Sequence, residues 1–129
     1  MHHVEVVVTE EFAVWYADLT QQDADVVAVS VERLEQRGVT LGFPYTSAIK
    51  GTDEPLRELR VQSHGRPLRV FFAFDPLRQA VLLIGGDKTG NDRFYEVYIP
   101  KAEAIWREYL EDIRDEIERH RKARKEGPS

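Results

Sequence analysis

The chain contains no cysteine, which excludes disulfides, thiolate nucleophiles and cysteine-held zinc or iron sites and suits a reducing cytoplasm. Long apolar runs are also missing. No stretch approaches the roughly 20 residues needed to cross a bilayer, and the start, "MHHVEVVVTEEF", has no basic region leading into an apolar one. A cytoplasmic protein without a membrane partner is therefore expected. Histidines are few and scattered: His2 and His3 at the terminus, His64 in the middle, His120 in a polar tail. They suggest no metal site, and no cofactor is expected. Positive charge is short as well, with a formal net charge of −5, which at face value argues against nucleic acid. The deficit is uneven, however. Residues 1–49 carry 8 acidic and 2 basic side chains, residues 50–101 carry 7 and 9, and residues 102–129 carry 8 and 7. The middle is a mildly basic island in an acidic chain, the form a local anion site takes.

At 129 residues the chain is sized for one compact domain, assigned to residues 1–118, with 119–129 as a polar, frayed tail. "VEVVV" (Val4 to Val8) predicts a β-branched strand, and Thr9 an N-cap for a short helix through Trp15. Thr20 with Asp23 resembles a capping box ahead of an amphipathic second helix that stops at Gly38. "LGFPYTSAIKGTDEP" loses periodicity and reads as an exposed loop. Three strands follow as an antiparallel meander: "LRELRV", "PLRVFFAF" and "QAVLLIGG". The last is apolar at both parities, as a central strand covered on both faces would be. A long helix follows Asn91, with Pro100 kinking it or starting a new one, and Ala102, Ile105, Trp106, Tyr109 and Ile113 form its stripe. Phe71, Phe72, Phe74, Trp106 and Tyr109 are read as core.

A first hairpin turning through His64 and Gly65 sets Val61 against Leu68, Leu59 against Val70, and Arg60 against Arg69. The apolar pairs share one face, so the two arginines share the other, about 5 Å apart at Cβ. Continuing the meander sets Arg69 opposite Ile84 and brings Lys88 to the end occupied by Arg66. Crowded cations of this kind suit phosphate. Glu58 shares the face of Arg60, and a neutralised surface ladder remains the open alternative. His64, at the cationic end, is an alternative proton carrier, although its turn position alone accounts for it. Gly85, Gly86 and Gly90 are read as letting the backbone turn around Lys88, with Asp87 orienting that lysine by pairing.

The run "LRELRVQSHGRPLRVFFAFDPLRQAVLLIGGDKTGNDRFY", with its "ELR", "GRPxRxFxAFD" and "GGDKTG" motifs, resembles the core of the RelE/HigB superfamily of type II toxin–antitoxin toxins. Within it, the phage-derived host-inhibition branch is the nearest in motif, and the resemblance extends over roughly residues 56–110. It implies an α+β, RelE-like fold: an N-terminal strand and two helices, then a mostly antiparallel three-strand meander and a C-terminal helix. It also implies an mRNA interferase that works on the ribosome, by attack of a ribose 2′-hydroxyl on the adjacent phosphate without a metal. Such a reaction needs charge stabilisation, proton transfer and in-line geometry.

By motif, Arg69 matches the family's central strand arginine, Arg60 the basic position on the neighbouring strand, and Lys88 the cation after the last strand. Tyr98 lies near the family's catalytic tyrosine, and Tyr95 competes for the role, since flanking cations could lower a phenol's pKa. Arg57, Arg66, Arg93 and Phe94 are assigned to RNA binding, Phe94 by stacking on a base. The resemblance implies a cognate antitoxin, commonly a helix-turn-helix protein, besides mRNA and the ribosome. Two other readings remain open: a non-nucleolytic inhibitor such as a ParE-like gyrase poison, and a nontoxic binding module.

Overall fold

The computed structural model describes residues 3–126, so His2 lies outside it. Strand β1 (Glu5–Val8) passes directly into helix α1 (Glu10–Ala17). Thr9 makes the junction, because its hydroxyl oxygen accepts the Phe12 amide at 3.2 Å and also reaches the Leu82 carbonyl oxygen at 2.8 Å. Helix α2 (Gln21–Arg37) begins at Thr20, whose side chain accepts from the Asp23 amide, and stops at Gly38 with φ 56°. Only glycine adopts that backbone at little cost.

The five strands lie in the order β1-β5-β4-β3-β2. Strands β3 (Arg57–Ser63), β4 (Arg66–Phe74) and β5 (Gln79–Asp87) form the antiparallel meander, and β1 joins β5 in parallel. The segment read as an open loop contributes the edge strand β2 (Thr46–Ala48), paired with β3. Three residues are too few to show a period of two, so the pattern does not reveal this strand.

The predicted first-hairpin register holds: Arg60 faces Arg69 and Leu59 faces Val70. His64 and Gly65 both have positive φ, 51° and 83°, as a two-residue type I′ turn demands. The second register differs from expectation, because Arg69 faces Gly86 rather than Ile84. The turn after Phe74 ends with Arg78 at φ 64°, and a bulge between Phe71 and Phe72 skips one residue of β5. That skip sends both Leu83 and Ile84 to the same side of the sheet, an exchange a bulge permits.

Both faces of the meander are covered. Leu59, Val61, Leu68, Val70, Phe72 and Leu82 pack under α1 and α2 against Phe12, Val27 and Leu34. Phe71, Ala73, Val81 and Leu83 pack under helix α3 (Phe94–Asp112) against Phe94, Ala102, Ile105 and Trp106. Helix α3 runs on through Pro100, and the break falls instead at Ile113. Where a frayed tail is expected, helix α4 (Arg114–Lys125) forms with no buried residue. Gly85 and Gly86 are glycines for packing rather than turning. A Cβ on Gly85 would lie 2.4 Å from the Trp15 ring, and one on Gly86 would lie 2.8 Å from Phe94 and Tyr98. Gly86 thus lets the start of α3 settle on the sheet opposite Arg69.

Helix α2 is tied to the first hairpin by Asp23, which accepts from the Ser63 hydroxyl and pairs with Arg66. The Arg66 guanidinium, and then Ser63, hold the Asp23 carboxyl below its ordinary 3.8. A carboxyl depressed on folding stabilises fully above its unfolded pKa and loses that contribution as pH falls through the folded one. Asp23→Asn is therefore expected to lower stability at neutral pH. The gap to wild type should close below about pH 3.8 when urea midpoints of both proteins are followed downward in pH. A gap that persists in acid would show that the tie is not ionic.

Candidate functional site

Strand alternation places Glu58 and Arg60 of β3 and Arg69 of β4 on the α3 side of the sheet, at the margin of the helix. Arg69 is 4% exposed, Glu58 5%, and the Arg60 side chain 31%. Glu58 is the hub. One carboxylate oxygen accepts the Tyr95 hydroxyl at 2.6 Å and lies 3.6 Å from Arg69 Nε, while the other accepts Ser47 Oγ at 2.8 Å and lies 3.4 Å from Arg60. Arg69 donates from Nη1 to the Leu68 carbonyl oxygen, but its buried Nε has no hydrogen-bond partner. Leaving such a donor unsatisfied costs about 1–3 kcal/mol.

Lys88 completes the group. Its amide is bonded to the Pro67 carbonyl oxygen at 2.9 Å, which fixes the chain where it leaves β5, and its ammonium sits 5.0 Å from the Tyr95 ring centroid. Among the described residues no carboxylate pairs with it. Arg60 and Arg69 share the carboxylate of Glu58, and Lys88 lies over the ring of the tyrosine that the same carboxylate holds, so three cations stand against one carboxylate. Net positive charge is left over, on a surface open to an anion.

Tyr95 is the tyrosine of this group. Its pKa is raised above 10, first by burial and then by the hydrogen bond to Glu58, and these outweigh Arg69. The expectation that the cations would lower it fails, because burial first and the Glu58 carboxylate second oppose the phenolate. At neutral pH Tyr95 is a proton donor. Tyr98 stands apart from this group: it stacks on Phe94 at 4.5 Å, with Lys101 over its ring.

The residues expected to extend the cationic surface are placed elsewhere. Arg57 and Arg66 share the parity of Leu59 and Leu68, so they face α2; Arg57 bonds Thr46, and Arg66 is held by Asp23 and Asp87. Asp87 consequently does not pair with Lys88. Arg93 pairs with Glu96 on the surface of α3, and Phe94 is 1% exposed in the core, where it cannot stack on a base. Sequence reasoning weighed Glu58 only as a neutraliser and did not single out Ser47 or Phe43. The two-residue spacing of Glu58 and Arg60 was the available signal for a shared role.

A groove of about 910 Å³ lies on the other side of the sheet, between β1, α1 and α2. Its walls include Val4, Val8, Phe12 and Val31, and its rim carries Glu5, Glu32 and Glu35. An acidic rim repels phosphate, so the chemistry of the cationic group does not extend there.

The family described as Phage derived protein Gp49-like (DUF891) matches residues 15–107. The chain belongs to this family. Two relatives from Mycobacterium tuberculosis (strain ATCC 25618 / H37Rv) are similar in sequence to this Gp49-like chain. The putative toxin HigB3 is 41% identical over 91 residues, covering 69% of this chain and 78% of its own. The putative toxin HigB2 is 34% identical over 119 residues, covering 90% of this chain, which spans 59% of HigB2. Among solved structures, a double-alanine mutant of the Escherichia coli toxin RelE in the free state is similar with a TM-score of 0.54. That match covers 78% of this chain and 98% of RelE at 8% identity. Agreement at so low an identity shows the fold, which is α+β and RelE-like.

Proposed function

We propose that this chain is the toxin of a type II toxin–antitoxin pair, an mRNA interferase that cuts messages on the ribosome through the ribose 2′-hydroxyl. Family membership and the HigB-named relatives support the class. The observation that carries the chemistry is that Arg60 and Arg69 share the one carboxylate of Glu58 beside a protonated Tyr95 whose ring Lys88 overlies.

In this reading the scissile phosphate takes up the uncompensated charge. Arg60 reaches it from the surface, and Arg69 adds its field from beneath. The phenol of Tyr95 passes its proton to Glu58 as it accepts the proton of the 2′-hydroxyl, a relay that the short Tyr95–Glu58 bond favours. The 2′-oxygen attacks phosphorus, the bond to the 5′-oxygen breaks, and the Lys88 ammonium protonates that oxygen. Solvent then restores both proton carriers. No step calls for a metal.

The toxin domain is assigned to residues 1–118, with a helix-turn-helix antitoxin as partner. The acidic N-terminal third offers that partner the groove beside β1, which suits apolar and basic side chains together.

Expression of the chain with RNA-end mapping tests this directly. Growth arrest with breaks at fixed codon positions and 2′,3′-cyclic phosphate ends is expected. Arrest with intact transcripts would replace the proposal with a non-nucleolytic poison of the ParE type. Normal growth would leave a binding module.

A further inference from the structure

Phe43 is the most exposed large hydrophobic side chain among the described residues, at 77%, and Tyr45, two residues on, is 42% exposed. Single exposed hydrophobics are ordinary. These two differ in being held by a tight piece of backbone at the edge of the cationic group. The Tyr45 and Thr46 amides both bond the Gly42 carbonyl oxygen, the Thr46 hydroxyl bonds that of Leu41, and the Arg60 amide donates to Tyr45 at 2.8 Å. Leu41 anchors the segment from within the core. Each ring also faces a guanidinium: Arg60 is 5.4 Å from the Phe43 centroid, and Arg33 is 4.2 Å from that of Tyr45.

The result is a rigid aromatic step joined to the cations by Arg60, which touches Glu58 at one side and Phe43 at the other. A nucleotide whose phosphate rests on Arg60 would have its base within reach of the Phe43 face. We propose that Phe43, flanked by Tyr45, is the stacking platform for an unpaired base of single-stranded RNA next to the scissile phosphate. This inference rests on the mRNA-cleaving function proposed above. Unpaired bases suit the platform because every base offers a π-face, whereas those of a duplex are already stacked. Arg60 strengthens the site by carrying charge to the phosphate while lying over the ring that receives the base. A platform of this kind fixes where the strand sits without reading a sequence.

The test uses the full chain and a 2′-O-methyl RNA hexanucleotide carrying 2-aminopurine, which the 2′-hydroxyl route cannot cleave. Binding to wild type should quench the fluorophore. Phe43→Ala should weaken binding by about 10-fold, within the range of one base stacked on one aromatic ring, and abolish the quench. Phe43→Trp should restore both. Phe43→Leu, which keeps bulk without a ring, should behave as the alanine variant, separating stacking from mere support of Arg60.

Wild-type affinity and quench in Phe43→Ala would overturn the platform and leave the nuclease proposal standing. If the free hexanucleotide does not bind, cleavage of ribosome-held message decides: impairment in Phe43→Ala with rescue by Phe43→Trp supports the platform, and an unimpaired rate overturns it. A wild-type chain that neither binds RNA nor cuts message would overturn both.

Discussion

Replacing Glu58 with alanine is expected to lower the free energy of unfolding by about 3 kcal/mol, the lower end of what breaking a buried ion pair costs. The carboxylate is almost wholly enclosed, and so is Arg69 beside it. Without Glu58, Arg69 is a charge in a poorly solvated place, left among the described residues with the Leu68 carbonyl oxygen as its hydrogen-bond partner. The Tyr95 and Ser47 hydroxyls lose their acceptor at the same time. Arg60 tempers the loss, since it is partly exposed and can turn to water.

Glu58→Gln should cost less, because an amide oxygen can still accept from one of the hydroxyls, although the charge is gone. Urea unfolding of the three proteins measures the order. A Glu58→Ala protein within about 1 kcal/mol of wild type, the size of an exposed ion pair, would mean that Arg69 escapes to solvent and that the group is a surface ladder.

The same hub explains what the sequence made legible. The pairing of Arg60 with Arg69 follows from two residues, His64 and Gly65, because a type I′ turn leaves no freedom in the register beyond it. Strand parity then puts Glu58 on their side, and parity equally excludes Arg57 and Arg66, which lie with Leu59 and Leu68 over α2. Expecting Arg66 in the group confused reaching the same end of the sheet with reaching the same face.

Other features depend on packing that no local pattern records. The bulge between Phe71 and Phe72 arises where Leu83 and Ile84 are both drawn under α3, and it moves Gly86 opposite Arg69. Gly86 has no Cβ to hold α3 away, so the first turn of the helix lies close to the sheet and Tyr95, rather than Tyr98, meets Glu58. Choosing between two tyrosines three residues apart required knowing how the helix sits on that glycine. Edge strand β2 was illegible for another reason. Its place is fixed by hydrogen bonds to β3, and it supplies Ser47 to the hub.

Lys88→Ala is expected to slow RNA cleavage by roughly 10²–10³-fold, the effect of removing one preorganised group from a developing charge, with little change in stability. The ammonium makes no ion pair among the described residues and lies over the face of Tyr95, so the folded protein loses little with it. Arg69→Ala should slow cleavage as severely but behave differently in the fold. It removes a buried side chain and leaves Glu58 with Arg60 and two hydroxyl donors, a hub that is still satisfied.

Arg69→Lys keeps the charge that acts on the phosphate but not the planar guanidinium that bonds the Leu68 carbonyl oxygen, so it should rescue cleavage in part. Single-turnover cleavage of ribosome-held message, beside urea unfolding, separates these outcomes. If Lys88→Ala cleaves at the wild-type rate while Arg69→Ala does not, the leaving oxygen takes its proton from elsewhere, and Tyr95 becomes the donor to examine. If neither variant changes the rate, the surplus positive charge around Glu58 is not where the message is cut.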